Sequence, residues 1–221
     1  VFLAFIILVS AAVVPSSASY FSMDESAWQS YWESYSKDGS AVYLAPGSDE
    51  SQMNFAWMGK TDCDAPAVYV KAASDSEYAV FSGVSVATDN DEYSYHVTAT
   101  GLAAGAEYSY YCEADGIKTA ESTFKTLDSN DFSAIFVSDI HVTYSETDET
   151  SLMTGAGHVN DVFSAAYDKN NDIALIVSAG DQATGGRLDE YKAVFSSPLV
   201  KSVQFALSCG NHDYKAEIYP T

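Results

Sequence analysis

Three short groups of candidate metal ligands recur in the last third of the 221-residue sequence, and each follows an apolar run. The runs lie at residues 134–137, 173–177 and 203–207, and they predict buried strands. The groups that follow them are Asp139 with His141, Gly180 with Asp181, and Gly210, Asn211, His212 and Asp213. Carboxylate, imidazole and carboxamide groups at the ends of successive strands are the components of a two-metal hydrolytic centre. The sequence therefore predicts a metal-dependent hydrolytic site at one edge of a sheet.

The first two groups have spacings that suit metal ligation. Asp139 and His141 are separated by one residue, so in extended backbone their side chains project on the same side and can ligate one metal. Gly180 permits a tight turn, and the two carboxylate oxygens of Asp181 can bridge two cations about 3.5–4 Å apart. Asp-x-His and Gly-Asp are each common sequences, and Gly-Asp is typical of turns. They indicate a metal site only because they occur in this order and each follows a predicted strand.

The third group is the most specific, because Gly-Asn-His-Asp is a much rarer sequence than the other two. Asn211 offers a neutral carbonyl ligand, and His212 can stand near a leaving group. Asp213 can orient the ring of His212. Chance turns do not account for all three groups in this order at successive strand ends.

Strands and helices alternate from residue 131 onward, with helices predicted at residues 158–169 and 188–195. This alternation predicts a mainly parallel sheet with right-handed crossovers, whose carboxyl edge collects functional groups. A Rossmann-type nucleotide-binding protein has the same alternation, but no Gly-x-Gly-x-x-Gly follows a strand here. Residues 143–157, rich in Ser, Thr and acidic residues, either shape the pocket or form a solvated loop.

The preceding part of the sequence has two different patterns. Residues 20–39 form a helical lead-in, where an aromatic stripe predicts a helix that packs on one of the domains. The stripe consists of Trp28, Tyr31, Trp32 and Tyr35. Residues 40–127 contain β-rich runs separated by turn residues, which predict an all-β, two-sheet sandwich. The runs lie at residues 41–44, 53–58, 67–72, 92–100, 107–114 and 122–126.

Two parts of the sequence resemble known families. Residues 40–127 resemble the fibronectin type III-like N-terminal domain of purple acid phosphatases. The matching features are Met53-x-Phe55-x-Trp57, the segment 96–102 with Gly105, Tyr108-x-Tyr110 and Ser122-x-Phe124-x-Thr126. Residues 131–221 resemble the calcineurin-like metallophosphoesterase superfamily, in the order Asp-x-His, Gly-Asp, Gly-Asn-His-Asp. Together they imply a β-sandwich followed by the first part of an α/β metallophosphoesterase domain.

The second resemblance implies a role for each candidate residue. Asp139 and His141 become ligands of a first metal, Asp181 bridges two metals, and Asn211 is a ligand of the second. His212, with Asp213 beside it, binds phosphate and assists the leaving group. The implied cofactors are two metal ions, with iron, manganese and zinc all suited to N/O ligands. The implied substrate is a small phosphate ester, with monoester and diester left open.

The sequence departs from these families at three points. Purple acid phosphatases place a tyrosinate ligand of ferric iron where this chain has Thr184, and they lack the histidine present here as His141. The resemblance therefore implies a colourless enzyme. The superfamily also uses a later His and a Gly-His-x-His motif, whereas no histidine follows His212 here. We therefore expect a fragment with both ends missing, whose 221 residues alone bind metals poorly and are inactive. The alternative is an extracellular binding or adhesion module with a degenerate metallophosphatase half.

The charge of the sequence restricts its partners. There are 31 acidic and 10 basic residues, which gives a formal net charge of −21 at pH 7. Nucleic acid and anionic membrane surfaces are excluded as expected partners, because both are bound through clusters of Lys and Arg. An anionic substrate must therefore be attracted by bound cations and not by the overall field of the protein.

The N-terminal residues and the cysteines indicate whether the protein is expected to be secreted. Residues 1–19 predict a secretory signal peptide, because an uncharged apolar run is followed by small residues and by no basic stop-transfer cluster. We therefore expect a secreted protein without stable membrane insertion. Cys63, Cys112 and Cys209 give an odd count, and the sequence leaves open whether the first two form a disulfide. It also leaves open the oligomeric state.

Overall fold

The computed structural model describes residues 22–88, 91–128 and 130–215. The predicted signal peptide at residues 1–19 and the last residues, 216–221, lie outside the described residues. Among the helices of the described part, none is long and apolar enough to cross a membrane.

The first element is helix α1, Glu25–Asp38. It begins after Asp24, whose side chain accepts a hydrogen bond of 2.8 Å from the backbone N–H of Ala27. It ends at Gly39, whose φ of 68° is a left-handed conformation that favours glycine. The predicted aromatic stripe is present, and it packs on the second half of the described chain.

Nine strands follow and form the sandwich. They are β1 Tyr43–Pro46, β2 Met53–Gly59, β3 Ala67–Ala72, β4 Ala79–Ser82, β5 Val84–Ala87, β6 Tyr93–Ala99, β7 Glu107–Ala114, β8 Ile117–Lys118 and β9 Ser122–Lys125. One antiparallel sheet has the order β1-β2-β6-β5, and the other has the order β4-β3-β7-β8 with β9 paired to β7. Side chains from both sheets meet in an aromatic core that includes Phe55, Tyr110 and Phe124. The predicted two-sheet sandwich is confirmed.

The prediction missed β4, β5 and β8. In β4 and β5 most residues are exposed, and no residue is fully buried. Alternation of buried and exposed residues is the main sequence signal of a strand, and these edge strands lack it. The strand β8 is only two residues long.

The second half is a three-stranded parallel sheet with helices between its strands. Its elements are β10 Ser133–Val137, α2 Ser151–Lys169, β11 Ile173–Ser178, α3 Leu188–Val194, a 3-10 turn Pro198–Lys201 and β12 Gln204–Leu207. The sheet order is β10-β11-β12. The central residues Ile135, Ile176 and Phe205 pair across the sheet and are buried in a common core. The predicted alternation of strands and helices is therefore present.

Helix α2 begins seven residues earlier than the predicted start at residue 158. Residues 151–157 are thus helical and not loop, which limits the loop after β10 to residues 138–150. Two glycines lower the helix propensity of residues 151–157, and they are Gly155 and Gly157. A Cβ at Gly157 would lie 2.9 Å from Nε1 of Trp28, so the glycine is needed for α1 to approach α2. Tertiary packing overrides the local signal here.

The two halves are joined by specific contacts. The ring of Tyr43 in β1 stacks on Phe195 at the end of α3, with centroids 4.1 Å apart. The hydroxyl of Tyr110 in β7 donates to the carbonyl of Lys201, with an oxygen–oxygen distance of 2.9 Å. These contacts hold the sandwich against the end of α3 and the 3-10 turn that follows it.

The three cysteines are free thiols in the structure. Cys112 is buried, Cys63 is half-buried and Cys209 is exposed. The pairing that the sequence left open between Cys63 and Cys112 is therefore not present.

Candidate functional site

The three predicted groups converge at the carboxyl ends of the parallel strands. Asp139 follows β10, Asp181 follows β11, and His212 follows β12. The loops after β10 and β11 are tied by backbone hydrogen bonds, because Asp139 N–H donates to the carbonyl of Gly180 and His141 N–H donates to that of Asp181, each at 3.0 Å. The topology therefore brings together side chains that are up to 73 residues apart, from residue 139 to residue 212.

His141, Asp181 and His212 form a compact group of potential metal ligands. One ligand atom from each lies within 4.8 Å of the others, and all three side chains are half-buried. Nε2 of His141 lies 3.9 Å from Oδ2 of Asp181. The two imidazole rings meet edge to face, with centroids 4.7 Å apart and planes at 89°. The group is open to solvent on one side, so a cation can reach it.

Asp139 lies at the rim of this group. Its side chain is 65% exposed, and Oδ1 lies 3.7 Å from Nε2 of His141. The hydroxyl of Ser138 donates to its other oxygen. Asp139 is thus adjacent to the cluster but outside the set of three that share one centre.

The expectation of extended backbone at the first group is wrong. Asp139 has a φ of 55° and His141 a φ of 50°, and both are left-handed conformations. In this conformation the N–H groups of both residues pair with carbonyls of the loop after β11 instead of continuing a strand. Asp181 is also left-handed, with a φ of 57°. Non-glycine residues in this conformation typically cost about 1–3 kcal/mol and cluster at functional sites.

The two oxygens of Asp181 face different partners. Oδ1 accepts the backbone N–H of His212 at 2.9 Å, and Oδ2 faces His141. A Cβ at Gly210 would lie 2.1 Å from this Oδ1, so any larger residue at position 210 must displace Asp181. Asp181 therefore links the first and third groups through its two oxygens.

His212 is oriented by a backbone carbonyl. Its Nδ1 lies 2.7 Å from the carbonyl oxygen of Thr184. A carbonyl can only accept, so Nδ1 carries the proton of the neutral ring and Nε2 keeps its lone pair. No sequence signal could have identified Thr184, because its side chain takes no part in this contact.

The expectation that Asp213 orients the ring of His212 is wrong. The Asp213 carboxylate is fully buried and accepts the backbone N–H groups of the loop after β11. These donors are Asp181 at 2.6 Å, Gln182 at 3.1 Å and Ala183 at 3.2 Å, with Gly210 adding a fourth at 2.9 Å. The hydroxyl of Tyr191 donates to Oδ1 at 2.7 Å. The physical reason is that these backbone N–H groups and the Tyr191 hydroxyl occupy the carboxylate, while the ring of His212 binds the carbonyl of Thr184 instead.

Asn211 is exposed in the loop after β12. Its assignment as a metal ligand stays a prediction. The buried Gln182 was missed by the sequence reasoning, although it ties the ends of two strands together. Its side-chain amide donates to the hydroxyl of Ser178 at 2.8 Å and to the carbonyl of Ser208 at 3.0 Å.

The donor set of the cluster fits a metal ion. Two imidazoles and a carboxylate are ligands of zinc, manganese and iron, and three protein ligands leave a position for substrate or water. Asp139 beside them offers a further carboxylate. Desolvation and the charges of Asp213 and Asp181 raise the pKa of the Cys209 thiol in the metal-free protein.

The described residues thus combine a β-sandwich with a parallel sheet whose carboxyl edge carries a histidine–carboxylate cluster. Residues 40–126 match the model of the purple acid phosphatase N-terminal domain. The sandwich of this chain therefore has a counterpart in that domain. A comparison with curated protein sequences finds no match.

Solved structures give matches over more of the chain. Purple acid phosphatase PPD1 from yellow lupin (Lupinus luteus) seeds is 16% identical with a TM-score of 0.60, and the match covers 78% of this chain and 35% of that chain. PhoD is 14% identical with a TM-score of 0.47, over 77% of this chain and 38% of that chain. The likeness to the lupin protein shows a shared fold. The chain spans about a third of the length of these proteins.

Proposed function

We propose that this protein is a secreted, metal-dependent hydrolase of phosphate esters, related to the calcineurin-like metallophosphoesterases. The observation that carries the proposal is the cluster of His141, Asp181 and His212 at the carboxyl ends of parallel strands. The fold shared with a purple acid phosphatase over most of the chain supports it. The match of residues 40–126 to the N-terminal domain of such enzymes supports it independently.

Each candidate residue has a role in this proposal. Asp139 and His141 would hold a first metal ion, Asn211 would contribute to a second, and Asp181 would be shared between them. When bound, the cations would neutralise phosphoryl charge and activate water. The acidic surroundings of the cluster suit cations, and they would repel an anionic substrate in the absence of cations.

His212 contacts the phosphoryl group and assists the departure of the leaving group. Its Nδ1 is held by the carbonyl of Thr184, so the ring cannot rotate freely and Nε2 has a fixed direction. A ring fixed in this way can deliver a proton from Nε2 to a departing alkoxide when it is protonated on both nitrogens. Asp213 takes no direct part in this proton transfer, because its carboxylate binds backbone N–H groups instead.

The test is hydrolysis by the longest chain that the gene encodes, supplied with Mn²⁺ or Zn²⁺. The substrates are p-nitrophenyl phosphate, a monoester, and bis-p-nitrophenyl phosphate, a diester. Loss of the bridge in Asp181→Asn should reduce metal-stimulated hydrolysis by more than the 10- to 100-fold that loss of an outer-shell partner typically costs. The control is Asp172→Asn, which removes the same charge at the opposite end of β11, where Asp172 pairs with Lys125.

Equal metal-stimulated hydrolysis by the wild type and Asp181→Asn would refute the assignment of the bridge. A wild-type protein that hydrolyses neither ester at any metal concentration would favour the alternative, an extracellular binding or adhesion module. The ratio of monoester to diester rates identifies the substrate class.

A further inference from the structure

The Asp213 carboxylate is an unusual group to find fully buried, because no cation faces it. Its exposed fraction is 0%, and the ion pairs of the described residues do not include it. Burying a carboxylate without a cation is costly unless hydrogen bonds compensate for the lost water. Here five donors surround it, four backbone N–H groups and the hydroxyl of Tyr191. These five hydrogen bonds compensate for the water that the carboxylate loses on burial.

The donors come from two loops that carry cluster residues. Residues 181–183 belong to the loop after β11, and Gly210 belongs to the loop after β12. Oδ2 accepts from both loops at once, from Asp181 N–H at 2.6 Å and from Gly210 N–H at 2.9 Å. The parallel sheet has ended at this point, so no strand pairing holds the two loops together. The carboxylate takes the place of that pairing.

The position of the cluster depends on this junction. Asp181 has a left-handed φ of 57°, a conformation that persists only where the surroundings determine it. The Asp181 N–H bound by Asp213 belongs to the residue that is proposed to bridge two metals, and His212 adjoins Asp213 in the chain. Movement of either loop changes the distance between Asp181 and His212. The Asp213 carboxylate therefore affects the relative position of Asp181 and His212, although it contacts neither side chain.

We infer that Asp213 is a positioning residue, whose carboxylate holds the loops of Asp181 and His212 at the separation that the metal-dependent site requires. This inference rests on the proposed function, in which Asp181 is a metal ligand and His212 contacts the phosphoryl group. It assigns Asp213 a role different from orienting the ring of His212.

Asparagine is a sharp probe of this role, because it has the same shape but only one acceptor atom. In either orientation of the amide, its NH₂ group faces at least two of the donors that now meet an oxygen. Tyr191→Phe is the matched variant. It removes the hydroxyl donor to Oδ1 and leaves all four backbone contacts in place. Asp172→Asn controls for the change in net charge.

The experiment is a titration of the 221-residue chain with Mn²⁺. Binding is monitored through the paramagnetic broadening of the NMR signals of the His141 and His212 rings. The method measures weak binding and locates it. We expect Asp213→Asn to weaken Mn²⁺ binding by about 10- to 100-fold, the typical loss for an outer-shell partner. We expect Tyr191→Phe and Asp172→Asn to bind as the wild type does. Equal affinity of Asp213→Asn and the wild type, or equal losses in Asp213→Asn and Tyr191→Phe, would overturn the inference.

Amide hydrogen exchange of the metal-free protein provides a second, independent measurement. In the wild type, the N–H groups of residues 181–183 and 210 should exchange slowly, and in Asp213→Asn they should exchange at least tenfold faster. Fast exchange in the wild type overturns the inference even if Asp213→Asn does not fold. If Mn²⁺ does not affect the histidine signals of the wild type, the proposed metal site is refuted. The amide exchange rates still test, independently of metal binding, whether Asp213 holds the two loops together.

Discussion

At the scale of single residues, Gly210 shows how closely the loops of the site approach each other. A Cβ at this position would lie 2.1 Å from Oδ1 and 2.5 Å from N of Asp181. Both distances are shorter than any real contact, so Gly210→Ala must displace Asp181 or its loop. Overpacking of this kind typically costs about 1–3 kcal/mol. We expect urea denaturation to show a loss of this size in the free energy of unfolding, together with weaker Mn²⁺ binding.

The control is Gly116→Ala in the turn between β7 and β8. A Cβ at Gly116 would have no neighbour within 4 Å, but its φ of 75° disfavours alanine. This variant should lose about 1 kcal/mol through backbone strain alone and keep its metal affinity. A Gly210→Ala protein with wild-type stability and wild-type Mn²⁺ affinity would show that the two loops are not packed as described.

The sequence predicted which residues form the site but not how the backbone holds them. The sequence placed Asp139, His141, Asp181 and His212 at one sheet edge, because carboxyl ends of parallel strands meet there. It could not place the carboxylate of Asp213, since its backbone donors carry no signature in the sequence. The same holds for the carbonyl of Thr184. Side-chain types identify candidate ligands, whereas backbone hydrogen bonds decide how those ligands are held.

At the scale of elements, the reliable predictions are those in which apolar residues of an element enter a core. The aromatic stripe of α1 and the apolar runs of β10, β11 and β12 all contribute to one core, and the sequence located each of them. The edge strands β4 and β5 are largely exposed and were missed. The start of α2 was misplaced because its two glycines, which lower helix propensity, are accommodated by tertiary contacts, Gly155 against Val142 and Gly157 against Trp28 of α1.

The contact of α1 with α2 gives a prediction in which two effects oppose each other. Nε1 of Trp28 donates to the carbonyl of Met153 at 3.0 Å, and the indole lies against Gly157. Gly157→Ala gains up to about 1 kcal/mol of helix propensity. It also places a Cβ 2.9 Å from the indole, an overpacking that costs about 1–3 kcal/mol. We expect a net loss of stability of about 1 kcal/mol, measured by urea denaturation.

A double-mutant cycle separates the two effects. In a Trp28→Phe background the Nε1 atom is absent, so the added methyl group of Gly157→Ala no longer meets it. The same substitution should then be neutral or stabilising, and the coupling free energy should exceed about 0.5 kcal/mol. Additive effects of the two substitutions would mean that Trp28 does not restrict position 157.

At the scale of the whole molecule, α1 and the sandwich are both fixed to the α/β half. The hydroxyls of Tyr31 and Tyr35 in α1 donate to the carbonyls of Ser196 and Lys192, each at 2.6 Å. Lys192 also forms an ion pair with Glu92 of the sandwich. Because these contacts converge on α3 and the turn that follows it, this region connects all three parts of the molecule. Tyr191 in the same helix extends the connection to the Asp213 carboxylate.

The buried Tyr110 makes this connection sensitive to alkaline pH. Desolvation raises the pKa of its phenol well above the usual range, and the charge of Cys112 adds to the effect. The unfolded chain releases this proton near pH 10, whereas the folded protein retains it. The free energy of unfolding should therefore fall as the pH rises above about 10, by up to about 1.4 kcal/mol per pH unit for this one group.

Tyr110→Phe isolates that contribution. At pH 8 the variant should be less stable by about 0.5–1.5 kcal/mol, because the hydrogen bond to the carbonyl of Lys201 is lost. Between pH 10 and pH 11.5 its stability should fall less steeply than that of the wild type, so the two curves approach each other. The measurement is urea denaturation at each pH, with Tyr214→Phe as the control because Tyr214 is 83% exposed. Parallel curves for the wild type and Tyr110→Phe would mean that the phenol ionises equally in both states, and that the contact between sandwich and sheet does not exclude water.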